Sequence, residues 1–299
     1  MTETLLAGLI GHPVAHSRSP ALQQAAFDAL GIAARYELWD TPAEALAARI
    51  AALRQPGYLG ANVTIPHKAA VIPLLDALDP LAVRLAAVNT IAREAAAESG
   101  SVRLVGYNTD VTGLRRALAE RGAWTAGRRM LVLGAGGAAQ AALGVAALES
   151  AVVWIAARRL EAARAALDAF QRRAQADALA LSDRGDEPDH AIALDDAERL
   201  SAALATTAVL INATPVGTRD PDASPIPVAL LRHLPAEAFV FDMVYNPPET
   251  ALVRAARALD LRASGGLPML LYQGADAFHL WTGHEPPLDL MRNAVGIAP

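Results

Sequence analysis

One stretch constrains the fold more than any other. Met130-Leu131-Val132-Leu133 is an apolar run; it meets a turn of small residues, Gly134-Ala135-Gly136-Gly137-Ala138-Ala139, and continues as an alanine-rich segment to Leu148. Only Gln140 is clearly polar between Met130 and Leu148, and the length would nearly cross a bilayer. Gly134, Gly136, Gly137 and Gly144 interrupt it, and alanine rather than leucine fills it. A buried strand, a tight turn and a helix account for it better than a membrane span. Gly134, Gly136 and Ala139 fit the G-x-G-x-x-G/A spacing. There the first glycine allows the turn, the second lets the backbone approach a pyrophosphate, and the small third residue lets helix and strand pack closely. The helix N-terminus then offers free N–H groups to the phosphates. A tight strand-to-helix turn with no ligand is the plain alternative.

The next strand end bears on which dinucleotide would bind. Trp154-Ile155-Ala156-Ala157-Arg158-Arg159 lacks the carboxylate that accepts from a free ribose 2′-hydroxyl. Two guanidiniums stand there instead, and these suit a 2′-phosphate. Arg158 and Arg159 therefore point to NADP, against the alternative of a solvated basic helix start.

At 299 residues the chain suits about two domains, and with 53% apolar and 19% charged residues it can bury a large core. A formal charge of -5 gives no basic field for nucleic acid. The absence of cysteine excludes disulfides and thiolate metal sites. The seven histidines lack metal-ligand spacing, so no metal is expected. Met1-Thr2-Glu3-Thr4 has an acid and no basic n-region, so a secretory signal is not expected and a cytoplasmic location is.

Strands and helices alternate along the chain, which argues for mostly parallel α/β sheets. Strands are expected over 5–10, 35–39, 60–65, 87–93, 102–107, 129–133, 152–156, 209–212 and 239–244. Helices are expected over 19–30, 42–53, 68–78, 112–121, 160–176, 251–259 and 269–281. Ser19 is expected as the N-cap of the first helix with Pro20 behind it. Glu98-Ser99-Gly100 reads as a polar turn, and 182–190 as a solvated loop.

Several polar segments ask for more than a fold requires. Ser17 and Ser19 put two hydroxyls before a helix, where both could donate to a carboxylate; simple capping is the alternative. Asn62-Val63-Thr64-Ile65-Pro66-His67-Lys68 ends a strand and places Lys68 at an expected helix start, where the dipole disfavours a cation. Such a local conflict marks a candidate functional residue, although an exposed lysine is the commoner case. Gly106-Tyr107-Asn108-Thr109-Asp110 brings a carboxylate that could hold or orient a proton, or merely cap a helix. Asn89 and Thr90, Asp242 to Pro247, and Gly265 to Gly274 are further polar or glycine-bearing strand ends and turns.

Taken in order, GHPVAHSRSP, NVTIPHK, AVNT, GYNTD, GAGGAA, NATPVG, DMVYNP and the Gln273 helix ending in Leu280-Trp281-Thr282-Gly283 resemble the shikimate dehydrogenase family, with its quinate/shikimate relatives. The match runs from Gly11 to Gly283. The resemblance implies a two-domain α/β fold. Residues 1–111 with 268–299 would form the substrate domain and 112–267 a Rossmann-like, doubly wound NADP domain, with the C-terminal helices returning to the first. It implies that Ser17 and Ser19 hold the substrate carboxylate, with Tyr245 near it. Thr64, Asn89 and Gln273 would bind hydroxyls or the substrate frame, and Lys68 and Asp110 would be the catalytic pair. Gly134, Gly136, Gly137 and Ala138 would receive the pyrophosphate, and Met243 and Gly266 would lie near the nicotinamide. Ala157-Arg158-Arg159 departs from the Asn-Arg-Thr usual in the family, and Pro268 stands where a small flexible residue is common.

The reaction so implied is reversible, NADPH-dependent reduction of 3-dehydroshikimate to shikimate in aromatic amino acid biosynthesis. A small-molecule substrate is the expected partner, with no nucleic acid and no membrane, and the protein is expected to be a monomer or homodimer. A quinate or aminoshikimate oxidoreductase, and a noncatalytic dinucleotide sensor, are the alternatives.

Overall fold

The computed structural model describes residues 4–95, 102–123, 125–174 and 190–297. The chain divides into two compact units, Met1–Gly113 with Leu270–Pro299, and Leu114–Met269.

The first unit opens with β1 (Leu5–Gly11), α1 (Ser19–Ala29), β2 (Ala34–Asp40), α2 (Leu46–Ala52) and β3 (Tyr58–Val63). It continues through β4 (Ala77–Leu78), α3 (Pro80–Leu85), β5 (Thr90–Ala95) and β6 (Val102–Tyr107), and the first residues of α4 (Thr109–Glu120) close it. The sheet order is β2-β1-β3-β5-β6-β4. β1 runs parallel to β2 and β3, and β4 parallel to β6; β5 is antiparallel to both its neighbours. Ile10, Trp39, Ile50, Val63, Ile91 and Leu104 fill the core on one face. Such burial is the main stabilising term of a sheet with a covered face.

The second unit is wholly parallel. It adds β7 (Arg129–Leu133), α5 (Ala139–Leu148), β8 (Val152–Ala157), α6 (Leu160–Ala174), β9 (Ala191–Ala193), α7 (Ala197–Leu204), β10 (Val209–Asn212), β11 (Phe239–Asp242), α8 (Ala251–Ala258) and β12 (Arg262–Ser264). The order β12-β11-β10-β7-β8-β9 is the doubly wound plan: the chain winds outward from β7 through β8 and β9, then returns to the other side of β7. Strands this deeply buried read as continuous apolar runs, as Met130 to Leu133 does. Leu131, Ile192, Leu210, Val240 and Leu252 belong to its core.

α9 (Leu267–Thr282) and α10 (Leu288–Ala294) complete the chain. From Leu270 onward α9 belongs to the first unit. Phe278 meets Phe27 of α1 at 5.4 Å between ring centres, and the Gln23 amide donates to the Gly274 carbonyl at 2.8 Å. The Trp281 indole donates to the Ile91 carbonyl at 3.0 Å, above Gly60. A Cβ at Gly60 would lie 2.3 Å from that indole nitrogen and 2.4 Å from that carbonyl oxygen, so only glycine lets α9 dock on the sheet.

Some sequence expectations give way here. The expected helix over 68–78 is a single turn at His67–Val71, a 3-10 turn at Ile72–Leu74 and the strand β4. Pro73 lacks the N–H that a continuing helix needs. Asp76 then binds the Leu104 N–H through its carboxylate and the Leu104 carbonyl through its own N–H, drawing the chain onto β6. Ser19 does not cap α1: Arg18 holds the cap position, Ser19 lies in the first turn, and the Ser17 hydroxyl accepts the Ser19 N–H at 3.1 Å. Residues 87–89 precede β5 rather than belong to it. The turn at 98–100 and most of the loop at 182–190 lie outside the described residues. No helix among the described residues is long and apolar enough to cross a membrane.

Candidate functional site

In the first unit the ends of β3, β5 and β6 deliver their polar residues to one place. Pro66 ends the run that began in β3, and the turn behind it is held by the His67 N–H donating to the Thr64 carbonyl and the Val88 N–H donating to the Lys68 carbonyl. Lys68 therefore leaves a fixed turn, not a helix start. Asp110 lies in the first turn of α4, where the positive end of the dipole favours a carboxylate. The Lys68 Nζ donates to Asp110 Oδ2 at 2.5 Å, with the two side chains 20% and 15% exposed. A charge pair this enclosed is screened far less than one on the surface.

Asn89 organises the pair. Its Oδ1 accepts the Thr109 N–H at 2.7 Å and the Thr90 hydroxyl at 3.2 Å. The amide nitrogen is thereby turned the other way, where it donates to Asp110 Oδ1 at 3.0 Å and reaches Gln273 Oε1 at 3.4 Å. Lys68, Asp110, Asn89 and Gln273, from four separate stretches of sequence, thus form one hydrogen-bonded cluster. Behind it, the Asn62 amide donates to the Thr90 hydroxyl at 3.1 Å, and the Tyr36 hydroxyl donates to Asn62 Oδ1 at 2.8 Å. These buried groups satisfy one another, the condition under which a polar core is rigid.

Ser17 and Ser19 form a second grouping. The Ser17 hydroxyl donates to the Ser19 hydroxyl at 3.1 Å. Thr64 is half-buried and faces Gly11, where a Cβ would come 2.4 Å from the Thr64 methyl. Next to it Ile65 is 66% exposed, an unusual state for a large apolar side chain.

Sequence reasoning passed over one contact here. The Thr112 hydroxyl donates to Asp276 Oδ2 at 2.5 Å, joining the first turn of α4 to α9 one turn beyond Gln273. Thr112 and Asp276 are ordinary helix-surface types 164 residues apart, and nothing local marks the pairing. Asn62, Thr90 and Thr109 were nearer to hand, since each lies inside a motif already singled out.

In the second unit the glycine turn joins β7 to α5. Gly134 has φ +104°, and its N–H donates to the Ala156 carbonyl at 2.7 Å. Gly136 and Gly137 adjoin open space: a Cβ on either would meet no atom within 4 Å. Both are exposed just ahead of α5, whose first N–H, that of Ala139, donates to the Gly136 carbonyl at 3.0 Å. Arg158 and Arg159 follow β8 and are exposed.

At the far side, Asp242 ends β11 and is fully buried. It accepts the Asn212 amide at 2.8 Å, the Val244 N–H at 3.0 Å and the Thr250 hydroxyl at 2.6 Å. Burial raises its pKa above the usual carboxylate value, and the three hydrogen bonds oppose that rise. The arrangement fixes the segment holding Met243 and Tyr245, both half-buried. Gly266 packs on Met243, whose carbonyl oxygen would be 2.3 Å from a Cβ there, and the Gly266 N–H donates to the Val244 carbonyl at 3.0 Å. No group of three or more potential metal ligands exists among the described residues.

Known proteins share this plan. Residues 9–91 match the shikimate dehydrogenase substrate binding domain, and residues 266–295 match the shikimate 5'-dehydrogenase C-terminal domain. A shikimate dehydrogenase (NADP(+)) of Symbiobacterium thermophilum is 42% identical over 288 residues, 96% of this chain and 92% of that protein. The crystal structure of shikimate 5-dehydrogenase from Thermus thermophilus in complex with NADP(H) and shikimate is 38% identical, with a TM-score of 0.80, covering 97% of this chain and 98% of the other. Quinate dehydrogenase from Corynebacterium glutamicum in complex with NAD is 30% identical, with a TM-score of 0.80, covering 98% and 99%.

Proposed function

This chain belongs to the shikimate dehydrogenase family, and on that premise we propose that it catalyses the reversible, NADPH-dependent reduction of 3-dehydroshikimate to shikimate, a step of aromatic amino acid biosynthesis. The observation that carries the reading is the enclosed Lys68–Asp110 pair at 2.5 Å, with the Asn89 amide on the second carboxylate oxygen. A fold alone has no need of such a cluster. The first unit holds the substrate and the second the cofactor. A small-molecule substrate and NADP are the partners, and the reaction belongs to the cytoplasm.

The cofactor, when bound, supplies the hydride. Gly134, Gly136, Gly137 and Ala138 receive its pyrophosphate, and Arg158 and Arg159 its 2′-phosphate; Met243 and Gly266 border the nicotinamide. On the substrate side, Ser17 and Ser19 donate to the carboxylate, with Tyr245 contributing to its recognition. Thr64, Asn89 and Gln273 hold ring hydroxyls. Lys68 places its ammonium against the ketone oxygen. As the ketone carbon gains hydride, a proton passes from Lys68 Nζ to that oxygen, and the amine is reprotonated from solvent. Asp110 keeps the ammonium aimed and accepts from a neighbouring substrate hydroxyl. The donor acts where negative charge develops, in a site partly closed to water.

A spectrophotometric panel tests the reading: shikimate, quinate and aminoshikimate, each with NADP and NAD. The expected result is the highest kcat/KM with shikimate and NADP. The quinate dehydrogenase likeness supports a second reading, and dominant quinate oxidation with NAD would favour it. No turnover of any pair would leave a dinucleotide-binding protein without this chemistry.

A further inference from the structure

The Asp242 carboxylate has more about it than a loop requires. It is fully buried, and the donors that reach it among the described residues are neutral: an amide, a backbone N–H and a hydroxyl. Two of these donors meet Oδ1 and the third meets Oδ2, and hydrogen bonds of this kind favour the ionised carboxylate against the cost of burial. The donors spread the charge without cancelling it.

Its place in the sheet gives that charge a target. In an open parallel sheet a ligand lies outside the carboxyl ends of the strands, at the point where the winding reverses. The order β12-β11-β10-β7-β8-β9 puts that point between β7 and β10. The glycine turn closes β7 and the arginines follow β8, so one half of a dinucleotide falls on that side. The other half falls on β10 and β11, whose last residues, Asn212 and Asp242, are register partners. A nicotinamide ring carries one positive charge when oxidised and none when reduced. We propose that the buried charge of Asp242 makes the second unit bind the oxidised cofactor more tightly than the reduced one, an inference that rests on the NADP reading above.

The field of a buried group is weakly screened, and a difference of one charge in such a site is worth about tenfold in Kd. The same field favours the charge that grows on the ring as hydride leaves, so the discrimination would also speed reduction of the substrate.

The test measures Kd for NADP+ and NADPH on the full chain by calorimetry and fluorescence titration. Asp242→Asn keeps the shape, because its oxygen can still accept from Asn212 and Val244 while its amide donates to the Thr250 hydroxyl. The expected result is a rise of about tenfold in the ratio of the NADP+ Kd to the NADPH Kd, an effect of the size set by one charge. Thr250→Val removes a donor but keeps the charge, and the ratio is expected to stay put even where Tm falls. If Asp242→Asn does not fold, Asp242→Ser takes its place: it too removes the charge, and the ratio is expected to rise in the same way. Equal weakening of both cofactors, at a constant ratio, would overturn the proposal and leave Asp242 a loop anchor. Failure of the parent chain to bind either cofactor would overturn the NADP reading itself, and this proposal with it.

Discussion

Replacing Lys68 by Met tests the central chemistry while keeping the length and most of the apolar stem of the side chain. The loss has two parts. The first is chemical. A positioned general acid is worth roughly 10²–10⁴ in rate, or about 2.7–5.5 kcal/mol of barrier. The second is structural. Asp110 loses the contact at 2.5 Å and keeps only the Asn89 amide at 3.0 Å, with its side chain 15% exposed. An under-satisfied buried acceptor costs about 1–3 kcal/mol, and the residual exposure lets water offset part of that. The expected outcome is therefore a fall in kcat of roughly 10²–10⁴-fold, a lower Tm, and an unchanged Kd for NADPH. NADPH absorbance, thermal melts and fluorescence titration read the three quantities. The Lys68→Met, Asp110→Asn double variant completes the cycle. Groups that act as a unit are not additive, because the second substitution removes what the first has already disabled. The double variant is expected to be no more than about threefold slower than Lys68→Met alone. Turnover of Lys68→Met within a few-fold of the parent would refute the assignment of the proton to Lys68, and two fully additive losses would refute the claim that the pair works as one device.

Three further outcomes are expected. Gly60→Ala drives a Cβ into both partners of the Trp281–Ile91 hydrogen bond; a loss of about 2–4 kcal/mol is expected from overpacking and the broken bond, with a raised KM because α9 carries Gln273, and a melting curve like the parent's would count against this docking. Burial, and then the Glu94 carboxylate, push the Tyr107 hydroxyl up to about 12; the unfolded chain ionises first, near pH 10, so this contribution to stability is whole below that pH and is lost as pH rises toward 12. Urea melts should then show the parent losing stability faster than Tyr107→Phe between pH 10 and 12, and parallel losses would dismiss the coupling. Replacing Arg158 and Arg159 together by Ala should lower kcat/KM for NADPH about tenfold to a hundredfold, the worth of charge-assisted hydrogen bonds to a phosphate, while leaving NADH nearly untouched; an equal loss with both cofactors would mean the arginines read something other than the 2′-phosphate.

The legible parts of this chain are those in which a local requirement fixes the residue type. Gly134 is needed because the turn out of β7 uses φ +104°, where a side chain is strained. The strands of the second unit are buried on both faces, so Met130 to Leu133 and Val209 to Ile211 announce themselves as unbroken apolar runs. Where long-range pairing decides, the local signal misleads. Lys68 to Leu78 has the spacing of a helix, yet Asp76 and Ala77 join β6, whose residues lie nearly thirty positions onward. The dipole conflict first noticed at Lys68 consequently does not exist, because no helix starts there. What singles out Lys68 is its contact with Asp110, and no short window of sequence contains both. The Thr112–Asp276 bond was beyond reach for the same reason.

The cluster in the first unit also shows why a site of this kind is assembled from strand ends. Asn89 could present either its oxygen or its nitrogen to Asp110, and the oxygen would repel the carboxylate. The Thr109 N–H settles the choice, since a backbone donor at 2.7 Å can only be met by Oδ1. That donor belongs to the residue just before Asp110, so the helix turn that places the carboxylate also orients the amide facing it. On the far side, the Val63 N–H donates to the Asn89 carbonyl, and the Asn89 N–H donates to the Tyr107 carbonyl, which ties the same residue to the ends of β3 and β6. Thr112 then binds Asp276, fixing the turn of Asp110 against the helix of Gln273. The Asn89 side chain is thus held by backbone of another element, and it holds Asp110 in turn, before any ligand arrives. A site built so has little freedom left to lose on binding, and freedom already lost in folding is the main economy available to a binding or reacting centre.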